Sequence, residues 1–298
     1  MSWYWNERKK SEVLDLLEKI VGPENVEENL NKIRRCFDIK DFLNQQLEIL
    51  NNDKFSCSKI GEGSEGKVYK CQLKCDLNFR LAVKKVKGDC SKNKQEIEIL
   101  QKFDDPRILK IYGTYKNSTH CFILTNLIEG INLEEYKDSV GLNETKVKMI
   151  IKELLEILKV LHDKDIIHRD IKSENVLLSE DNKIYLIDFG HAVDLQNGMG
   201  VGLAGTLDFI SPEMLLQQEY GKDIDIWEVG VLTYELLYGI VPFYDQKISE
   251  TLEKIKRIEY TFLNDNISRE AQDFIKSILV DAPSRPNVDK LLEHPWLN

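Results

Sequence analysis

The pattern of apolar residues changes near residue 126, and this change limits the folds that the chain can adopt. Residues 53 to about 126 contain short runs of β-forming residues and one helical segment, Asn93 to Phe103; the runs are FSCSKI, KVYKCQL, FRLAVKKV, ILKIYGTY and HCFILTN. Residues 129–298 are mainly helical, with a long amphipathic stretch, KVKMIIKELLEILKVLHD, followed by the strands NVLLS and KIYLIDF. We predict an α+β fold in which a small β-rich lobe precedes a larger helical lobe. A cleft between two such lobes is a natural ligand site.

Residues 1–52 carry three stripes of apolar residues at helical spacing, and Gly22-Pro23 separates the first from the second. The stripes are Val13, Leu16, Leu17, Ile20 and Val21; Val26, Leu30, Ile33 and Phe37; and Ile39, Leu43, Leu47 and Leu50. We expect a helical extension that either binds a regulatory partner or packs on the main domain.

Composition and charge exclude several classes of protein. The 298 residues are 42% apolar and 31% charged, which is ordinary for a globular chain. The 51 acidic residues exceed the 41 basic ones, giving a net charge of −10 that disfavours general binding of nucleic acid or anionic membrane. No apolar run reaches the ~18 residues that span a bilayer, and the N-terminus lacks the apolar region of a secretion signal. We therefore expect no nucleic-acid or membrane partner and a cytoplasmic or nuclear location.

The six cysteines all lie in the first 121 residues. We interpret them as reduced, buried thiols, as is usual in the cytosol. The spacing Cys71-x3-Cys75 leaves a zinc site open, although no third or fourth ligand follows at metal spacing.

A glycine-rich segment, Ile60-Gly61-Glu62-Gly63-Ser64-Glu65-Gly66-Lys67-Val68, is followed by a β run rather than a helix. This order argues against a dinucleotide-binding fold, in which a helix N-terminus holds the pyrophosphate. It favours a β-hairpin whose bare backbone approaches phosphates closely.

Lys84 follows the strand Leu81-Ala82-Val83, 18 residues after Gly66, where a lysine would reach the α- and β-phosphates of a nucleotide. Such a lysine needs a carboxylate to hold it. We predict Glu96 rather than Glu98, because Lys102 follows Glu98 at helical spacing and marks a solvent face. The interval from Lys84 to Glu96 is short, so the helix that carries Glu96 must start early or be truncated.

Two further motifs carry the chemistry: His168-Arg169-Asp170-Ile171-Lys172-Ser173-Glu174-Asn175 and, 13 residues after Asn175, Asp188-Phe189-Gly190. An aspartate that accepts a hydroxyl proton, and Asn and Asp oxygens that hold Mg²⁺, are what phosphoryl transfer requires.

From about Phe55 to Leu297 the chain resembles a eukaryotic protein kinase. The segment Gly205 to Glu213 is similar to the family's peptide-docking loop, with Ser211 in place of alanine, and Arg285 resembles the arginine that pairs with Glu213. Asp225-Ile226-Trp227 resembles the start of the helix that anchors the large lobe. Lys172, two residues after Asp170, is typical of Ser/Thr kinases, and the large lobe most resembles Aurora kinases, which act in mitosis and take an activating partner on the small lobe.

The resemblance implies ATP and Mg²⁺ as cofactors and assigns a role to each site residue. Asp170 is the catalytic base, Lys172 stabilises the transferring phosphoryl group, and Thr206 lies near Asp170. Lys84, paired with Glu96, holds phosphates. Further residues bind the nucleotide: Ile60, Val68, Ala82 and Leu177 as apolar walls, Gly61, Gly63 and Gly66 over the phosphates, Thr125 as gatekeeper, and Asn126 and Ile128 as hinge. Asn175 and Asp188 ligate the metal. Phe189 and His168 are expected to pack internally.

The resemblance also predicts peptide preference. Glu174 and Glu235 align with carboxylates that attract arginine upstream of the phosphorylated residue. Asn132 replaces a further glutamate, which predicts selection for arginine at minus two rather than minus three.

We therefore expect an ATP- and Mg²⁺-dependent protein Ser/Thr kinase, with an Aurora-like role in the cell cycle. One alternative is a catalytically weak scaffold regulated by the N-terminal helices, which the presence of Lys84, Asp170 and Asp188 disfavours. Another is a small-molecule phosphotransferase, which the docking segment disfavours.

The activation loop that the resemblance implies, residues 188–213, carries no usual phosphorylation site. Its only hydroxyls are Thr206 and Ser211, both in the docking segment. In related kinases the arginine that corresponds to Arg169 usually binds a phosphorylated loop residue. Because this loop has no such residue, we predict activity that is independent of loop phosphorylation. Either Asp194 provides a constitutive carboxylate for Arg169, or the N-terminal helices or a partner order the loop.

Overall fold

The computed structural model of the protein describes residues 55–62, 66–74, 76–88, 90–263 and 266–298. These residues form two compact units, so the predicted two-lobed α+β architecture is confirmed. The smaller unit comprises the described residues up to Ile97 and Leu109–Ile128, and the larger comprises Glu98–Ile108 and Glu129–Asn298. The predicted helical extension, residues 1–52, lies outside the described residues, as do Gly63 and Cys75.

The smaller unit is built on an antiparallel sheet with the strand order β1-β2-β3-β5-β4. The strands are β1 (Phe55–Glu62), β2 (Lys67–Leu73), β3 (Asp76–Lys87), β4 (Ile111–Lys116) and β5 (His120–Asn126). A 3₁₀ helix, Cys90–Asn93, leads into the short helix α1 (Lys94–Leu100). The run ILKIYGTY becomes a strand only from Ile111, because Ile108 instead closes a turn on Asp105 and bridges to Leu186.

The described cysteines form two disulfides, so the expectation of reduced thiols is wrong for them. Cys57 lies directly opposite Cys71 in the β1–β2 register, and these two residues are bonded. Cys90, at the start of the 3₁₀ helix, is bonded to Cys121 on β5. Strand register brings these pairs together, and chain spacing alone does not reveal it. Because Cys71 is bonded to Cys57, its thiolate is not available to a zinc ion.

The larger unit contains the remaining helices and two small sheets. Its helices are α2 (Leu133–Val140), α3 (Glu144–His162), α4 (Pro212–Leu215), α5 (Asp223–Tyr238), α6 (Ile248–Arg257), α7 (Arg269–Ile278) and α8 (Val288–Leu292). One sheet has the order β6-β8-β9 and the other pairs β7 with β10. These strands are β6 (Gly130–Asn132), β7 (Ile166–Ile167), β8 (Val176–Ser179), β9 (Ile184–Leu186) and β10 (Val193–Asp194).

Helix α5 is the centre of the larger unit. Every residue from Ile224 to Leu236 is buried, as expected of a helix surrounded by protein on all sides. The long amphipathic helix α3 packs on α5, α8 and β9 through one apolar face. None of the helices in the described parts of the chain is long and apolar enough to cross a membrane.

A buried ion pair connects α4 to the C-terminal part of the chain, and it is the one predicted between Arg285 and Glu213. Arg285 Nη1 donates to Glu213 Oε1 at 2.7 Å and to the carbonyl of Asp223 at 2.8 Å. Its guanidinium also lies 5.0 Å from the Trp227 ring centroid. Burial alone would raise the pKa of Glu213, but the hydrogen bonds and charge of Arg285 outweigh it and lower that pKa.

Replacing Arg285 with alanine should be strongly destabilising, because it leaves the Glu213 carboxylate buried without its cation. We expect Arg285→Ala to lower the free energy of unfolding by about 3–5 kcal/mol, measured by urea denaturation. The control is Lys159→Ala, which breaks an exposed pair with Asp289 and should leave the free energy of unfolding nearly unchanged. Equal losses in the two variants would show that burial does not set the strength of the Arg285 pair.

Candidate active site

In the smaller unit, Lys84 and Glu96 form the predicted ion pair. Lys84 Nζ lies 2.9 Å from Glu96 Oε1, and the two side chains are only 16% and 4% exposed. Asn93, at the end of the 3₁₀ helix, donates to the other oxygen of Glu96 at 3.2 Å. Glu98 is exposed on α1. Of the two alternatives for this helix, an early start or truncation, truncation is seen, because α1 has only seven residues and the 3₁₀ helix fills the short interval before it.

The glycines of the β1–β2 hairpin have different surroundings. A Cβ atom on Gly66 would lie 2.4 Å from the carbonyl oxygen of Lys85, so the pairing with β3 requires glycine there. A Cβ atom on Gly61 would meet only Val68, at an ordinary 3.9 Å. Packing against β3 therefore requires glycine at position 66, whereas a side chain at position 61 would have room.

The residues predicted to surround adenine are divided between the two units. Ala82 and Thr125 are paired across β3 and β5 and are both buried. The predicted wall residues Val68 and Ile60 are half-buried and 53% exposed, respectively. Leu177 lies on β8 in the larger unit.

The predicted hinge residues follow the end of β5. The side chain of Asn126 accepts a hydrogen bond from the backbone N–H of Lys110 at 2.8 Å, and its own N–H donates to the Lys110 carbonyl. Both the side chain and the backbone of the asparagine thus bond to the backbone just before β4. Ile128 is the last residue of the smaller unit.

In the larger unit, the predicted catalytic residues Lys172 and Thr206 and the predicted metal ligand Asn175 meet around the Asp170 carboxylate. Thr206 Oγ1 donates to Asp170 Oδ1 at 2.8 Å, and Asn175 Nδ2 donates to Asp170 Oδ2 at 2.8 Å. Lys172 Nζ lies 2.7 Å from Thr206 Oγ1 and 3.6 Å from Asp170 Oδ2. Each carboxylate oxygen thus has a donor that fixes its direction.

Asp188 follows strand β9, with only Ile187 between them. Its backbone is left-handed, with φ of 61°, and its Oδ1 accepts weakly from the Gly190 N–H at 3.4 Å. The Ile187 N–H donates to the Asn175 carbonyl at 3.0 Å, which connects the two predicted metal-binding segments.

Phe189 and His168 pack internally, as predicted. Phe189 is fully buried and meets the His168 ring edge-to-face, with 4.9 Å between centroids. Burial lowers the pKa of His168, so the neutral imidazole is favoured. Its Nε2 lies 3.1 Å from the Ile187 carbonyl.

Two acids of α5 hold the backbone of residues 168–175, the catalytic loop, and the sequence motifs do not reveal this function. Asp225 accepts from the backbone N–H groups of His168 and Arg169 at 2.9–3.1 Å, and lies 2.8 Å from His162 Nε2. Glu228 accepts from the Ile171 N–H at 2.8 Å. The signal available in the sequence was two acids, three residues apart, in a stretch of α5 whose other residues from Ile224 to Leu232 are apolar or glycine. Burial, and next the charge of Asp225, raises the pKa of Glu228 well above its ordinary value.

Asp194 does not pair with Arg169, which corrects one of the two expectations for the activation loop. Its carboxylate lies 2.6 Å from Lys102 Nζ instead. Lys102 belongs to the same unit and comes just after α1, a position that the loop sequence does not reveal.

No group of three or more His, Cys, Asp or Glu side chains in the described parts of the chain is arranged to hold a metal ion. Any metal at Asn175 and Asp188 therefore needs ligands from outside this set.

Comparison with known proteins agrees with this geometry. The protein kinase domain family matches residues 56–297. The chain is 33% identical over 247 residues to Aurora kinase C of Mus musculus, covering 80% of this chain and 89% of that one. It is 31% identical over 252 residues to a calcium/calmodulin-dependent protein kinase type 1 of Macrobrachium nipponense, covering 80% and 73%. An Aurora kinase of Candida glabrata is 32% identical over 249 residues, covering 80% and 69%.

The chain belongs to the protein kinase family. Within that family it is a serine/threonine protein kinase, as its named relatives are.

The two acids of α5 should respond differently to the same change from carboxyl to carboxamide. Asp225→Asn turns one acceptor into a donor that faces other donors, and we expect a loss of about 1–3 kcal/mol in the free energy of unfolding. Glu228→Gln should cost less, because burial already favours the neutral form of Glu228.

The difference in the free energy of unfolding between the wild type and Glu228→Gln should depend on pH. Because its native pKa lies above its ordinary value of 4.5, the native state binds more protons than the unfolded state above that pH. The wild type should therefore lose stability relative to Glu228→Gln as the pH rises above 4.5. Urea denaturation across this range measures it, and a difference that is flat with pH would contradict the raised pKa.

Proposed function

We propose that this kinase uses ATP and Mg²⁺ to phosphorylate Ser and Thr residues of protein substrates, through the residues placed above. The observation that carries the proposal is the Asp170 carboxylate, which Thr206 and Asn175 hold in one direction beside the Lys172 ammonium. A carboxylate held in this way can accept the proton of a substrate hydroxyl.

The side chains at the proposed metal position fit Mg²⁺. Asn175 uses its Nδ2 to bind Asp170, which leaves Oδ1 as its ligand atom, and Asp188 provides a carboxylate. These are hard oxygen ligands, and Mg²⁺ typically takes one or two such groups and completes its shell with phosphate and water. When bound, ATP would supply the phosphoryl group and Mg²⁺ would neutralise its negative charge.

The remaining residues would orient and stabilise. Lys172, with its ammonium beside Thr206 and Asp170, adds positive charge where the phosphoryl group is transferred. In the smaller unit, Glu96 holds the Lys84 ammonium for the nucleotide phosphates. We assign adenine binding to Ala82, Thr125 and the backbone after β5, in the order that the family implies.

The test is a radiolabelled ATP assay with a library of Ser/Thr peptides, run with and without Mg²⁺. Transfer to peptide hydroxyls that requires Mg²⁺ supports the proposal. Nucleotide binding without turnover would indicate a scaffold, and transfer to small molecules alone would indicate a different phosphotransferase.

Asp170→Asn should remove most turnover and leave nucleotide affinity nearly unchanged, because the carboxylate acts on the acceptor hydroxyl. We expect kcat to fall by about 10²–10⁴-fold, the usual contribution of a general base. Affinity is measured with a fluorescent ATP analogue. A parallel loss of affinity and turnover would contradict this role.

Lys84→Met should reduce phosphoryl transfer by about 10²–10³-fold, as expected when one preorganised charge is lost. The matched control is Lys85→Met on the same strand, since the Lys85 ammonium lies over the Phe122 ring, 5.8 Å from its centroid. Circular dichroism checks that both variants fold. If Lys85→Met is the more impaired variant, the neighbouring lysine holds the phosphates.

We also propose that the kinase selects substrates with arginine two residues before the phosphorylated residue. Lys137 would compete with that arginine for Glu235. Glu235 is paired with Lys137 at 2.8 Å, and its buried Oε2 has no hydrogen-bond partner among the described residues. Lys172 Nζ lies 3.7 Å from the second acid, Glu174. Asn132 is used to cap α2, where its side chain accepts from the Glu135 N–H.

Removing Lys137 should strengthen the preference for a basic substrate, because an arginine would no longer compete with an internal cation. We expect Lys137→Met to raise the ratio of kcat/KM for Arg-minus-two over Ala-minus-two peptides about threefold to tenfold. Lys159→Met is the control at an exposed pair. An unchanged ratio would show that Glu235 does not contact the substrate.

The finer biological assignments are proposals. An Aurora-like role in the cell cycle is supported by the 33% identity to Aurora kinase C, while the calmodulin-dependent relatives support the activity and not this role. We propose residues 1–52 or the smaller unit as the place where a regulatory partner binds. A cytoplasmic or nuclear location stays a prediction, and the two disulfides argue against it.

A further inference from the structure

The activation loop is positioned although its segment from Gly190 to Gly205 contains no residue that can be phosphorylated on a hydroxyl. From Gly190 to Gly205 the sequence is GHAVDLQNGMGVGLAG, without serine, threonine or tyrosine. Three glycines at 198, 200 and 202 make such a segment costly in entropy to order. Contacts from elsewhere in the larger unit must therefore hold it.

Tyr220, which precedes α5 in the chain, makes those contacts. Its backbone exchanges two hydrogen bonds with Gly200, at 2.9 and 3.0 Å. Its hydroxyl donates toward the carbonyls of Gly202 and Val201, at 3.0 and 3.2 Å. The side chain is only 1% exposed, so these bonds are sheltered from water.

The fit between the loop and the Tyr220 ring is close. A Cβ atom on Gly200 would lie 2.1 Å from Cε2 of Tyr220, so only glycine lets the loop backbone pass over the ring. The two residues are thus matched by shape as well as by hydrogen bonds.

The same hydroxyl joins the loop to the catalytic loop. Arg169, the neighbour of Asp170, donates from Nη1 to the Tyr220 hydroxyl at 2.8 Å and from Nε to the His191 carbonyl at 2.7 Å. A tyrosine hydroxyl can accept one bond and donate another at once, which this position requires. Among the described residues, no carboxylate forms an ion pair with the Arg169 guanidinium. Two neutral oxygens, the Tyr220 hydroxyl and the His191 carbonyl, accept its hydrogen bonds.

We propose that Tyr220 is a positioning residue for phosphoryl transfer. Its hydroxyl couples Arg169 to the backbone of residues 201 and 202, and it replaces the anion that a modified loop would bring to this arginine. The enzyme is therefore active without modification of the loop. This inference rests on the kinase activity and extends it to the order of the loop.

The test compares Tyr220→Phe with Tyr234→Phe. The first variant removes the hydroxyl that joins Arg169 to the loop, and the second removes a buried hydroxyl that donates to the Thr261 carbonyl in the same unit. We expect kcat of Tyr220→Phe to fall about tenfold, as for loss of one hydrogen bond to a charged group, with KM for ATP unchanged. Tyr234→Phe should stay within about twofold of the wild type.

Hydrogen exchange gives a readout that does not depend on turnover. Exchange of peptides covering residues 198–205 should accelerate in Tyr220→Phe and not in Tyr234→Phe. A double variant with Arg169→Met should be no less active, within about twofold, than Arg169→Met alone, because both residues act through one contact.

Three results would overturn the proposal: full activity and unchanged exchange in Tyr220→Phe, additive losses in the double variant, or a loss of wild-type activity after phosphatase treatment. If the wild type shows no turnover at all, the proposed function fails instead. The exchange experiment still tests the Tyr220 contact in that case.

Discussion

The carboxylate of Asp225 is the interaction on which the catalytic part of the molecule depends. It is fully buried, and its oxygens receive the backbone N–H groups of His168 and Arg169. These two residues directly precede Asp170, the proposed catalytic base, so the position of the Asp170 backbone follows from where α5 places Asp225. A buried acceptor with several donors is worth more than the same bonds in water, since an unmade bond there leaves a group without any partner.

The positions of the residues around Asp170 therefore depend on the packing of the core. Helix α5 is buried on all sides, and it carries Asp225 and Glu228 outward to the loop that contains Asp170. The side chains that contact Asp170 directly therefore set only the orientation of its carboxylate. Thr206 and Asn175 each occupy one oxygen of a carboxylate whose backbone is already placed.

Sequence reasoning succeeded where chemistry requires particular residues at short spacing. The two-lobed architecture followed from hydrophobic periodicity, and the pairs Lys84–Glu96 and Arg285–Glu213 followed from motif resemblance.

Sequence reasoning failed where contacts depend on register or on distant segments. Lys137 meets Glu235 across 98 positions, and Lys102 meets Asp194 across 92. No local pattern encodes such pairs, because they arise only when separate elements pack together. Ile108 and Leu109 were read as part of a strand for the related reason that apolar character alone does not distinguish a strand from a buried turn.

The disulfide between Cys90 and Cys121 has a consequence for the unfolded chain rather than for the native one. It closes a loop of 31 residues that contains α1 and β4. By the chain-entropy account, a loop of that length removes about 3–4 kcal/mol of conformational freedom from the denatured ensemble. That contribution exists only while the bond is oxidised. The melting temperature of the protein therefore depends on the thiol content of its buffer, and preparations made with and without reductant are thermodynamically different samples.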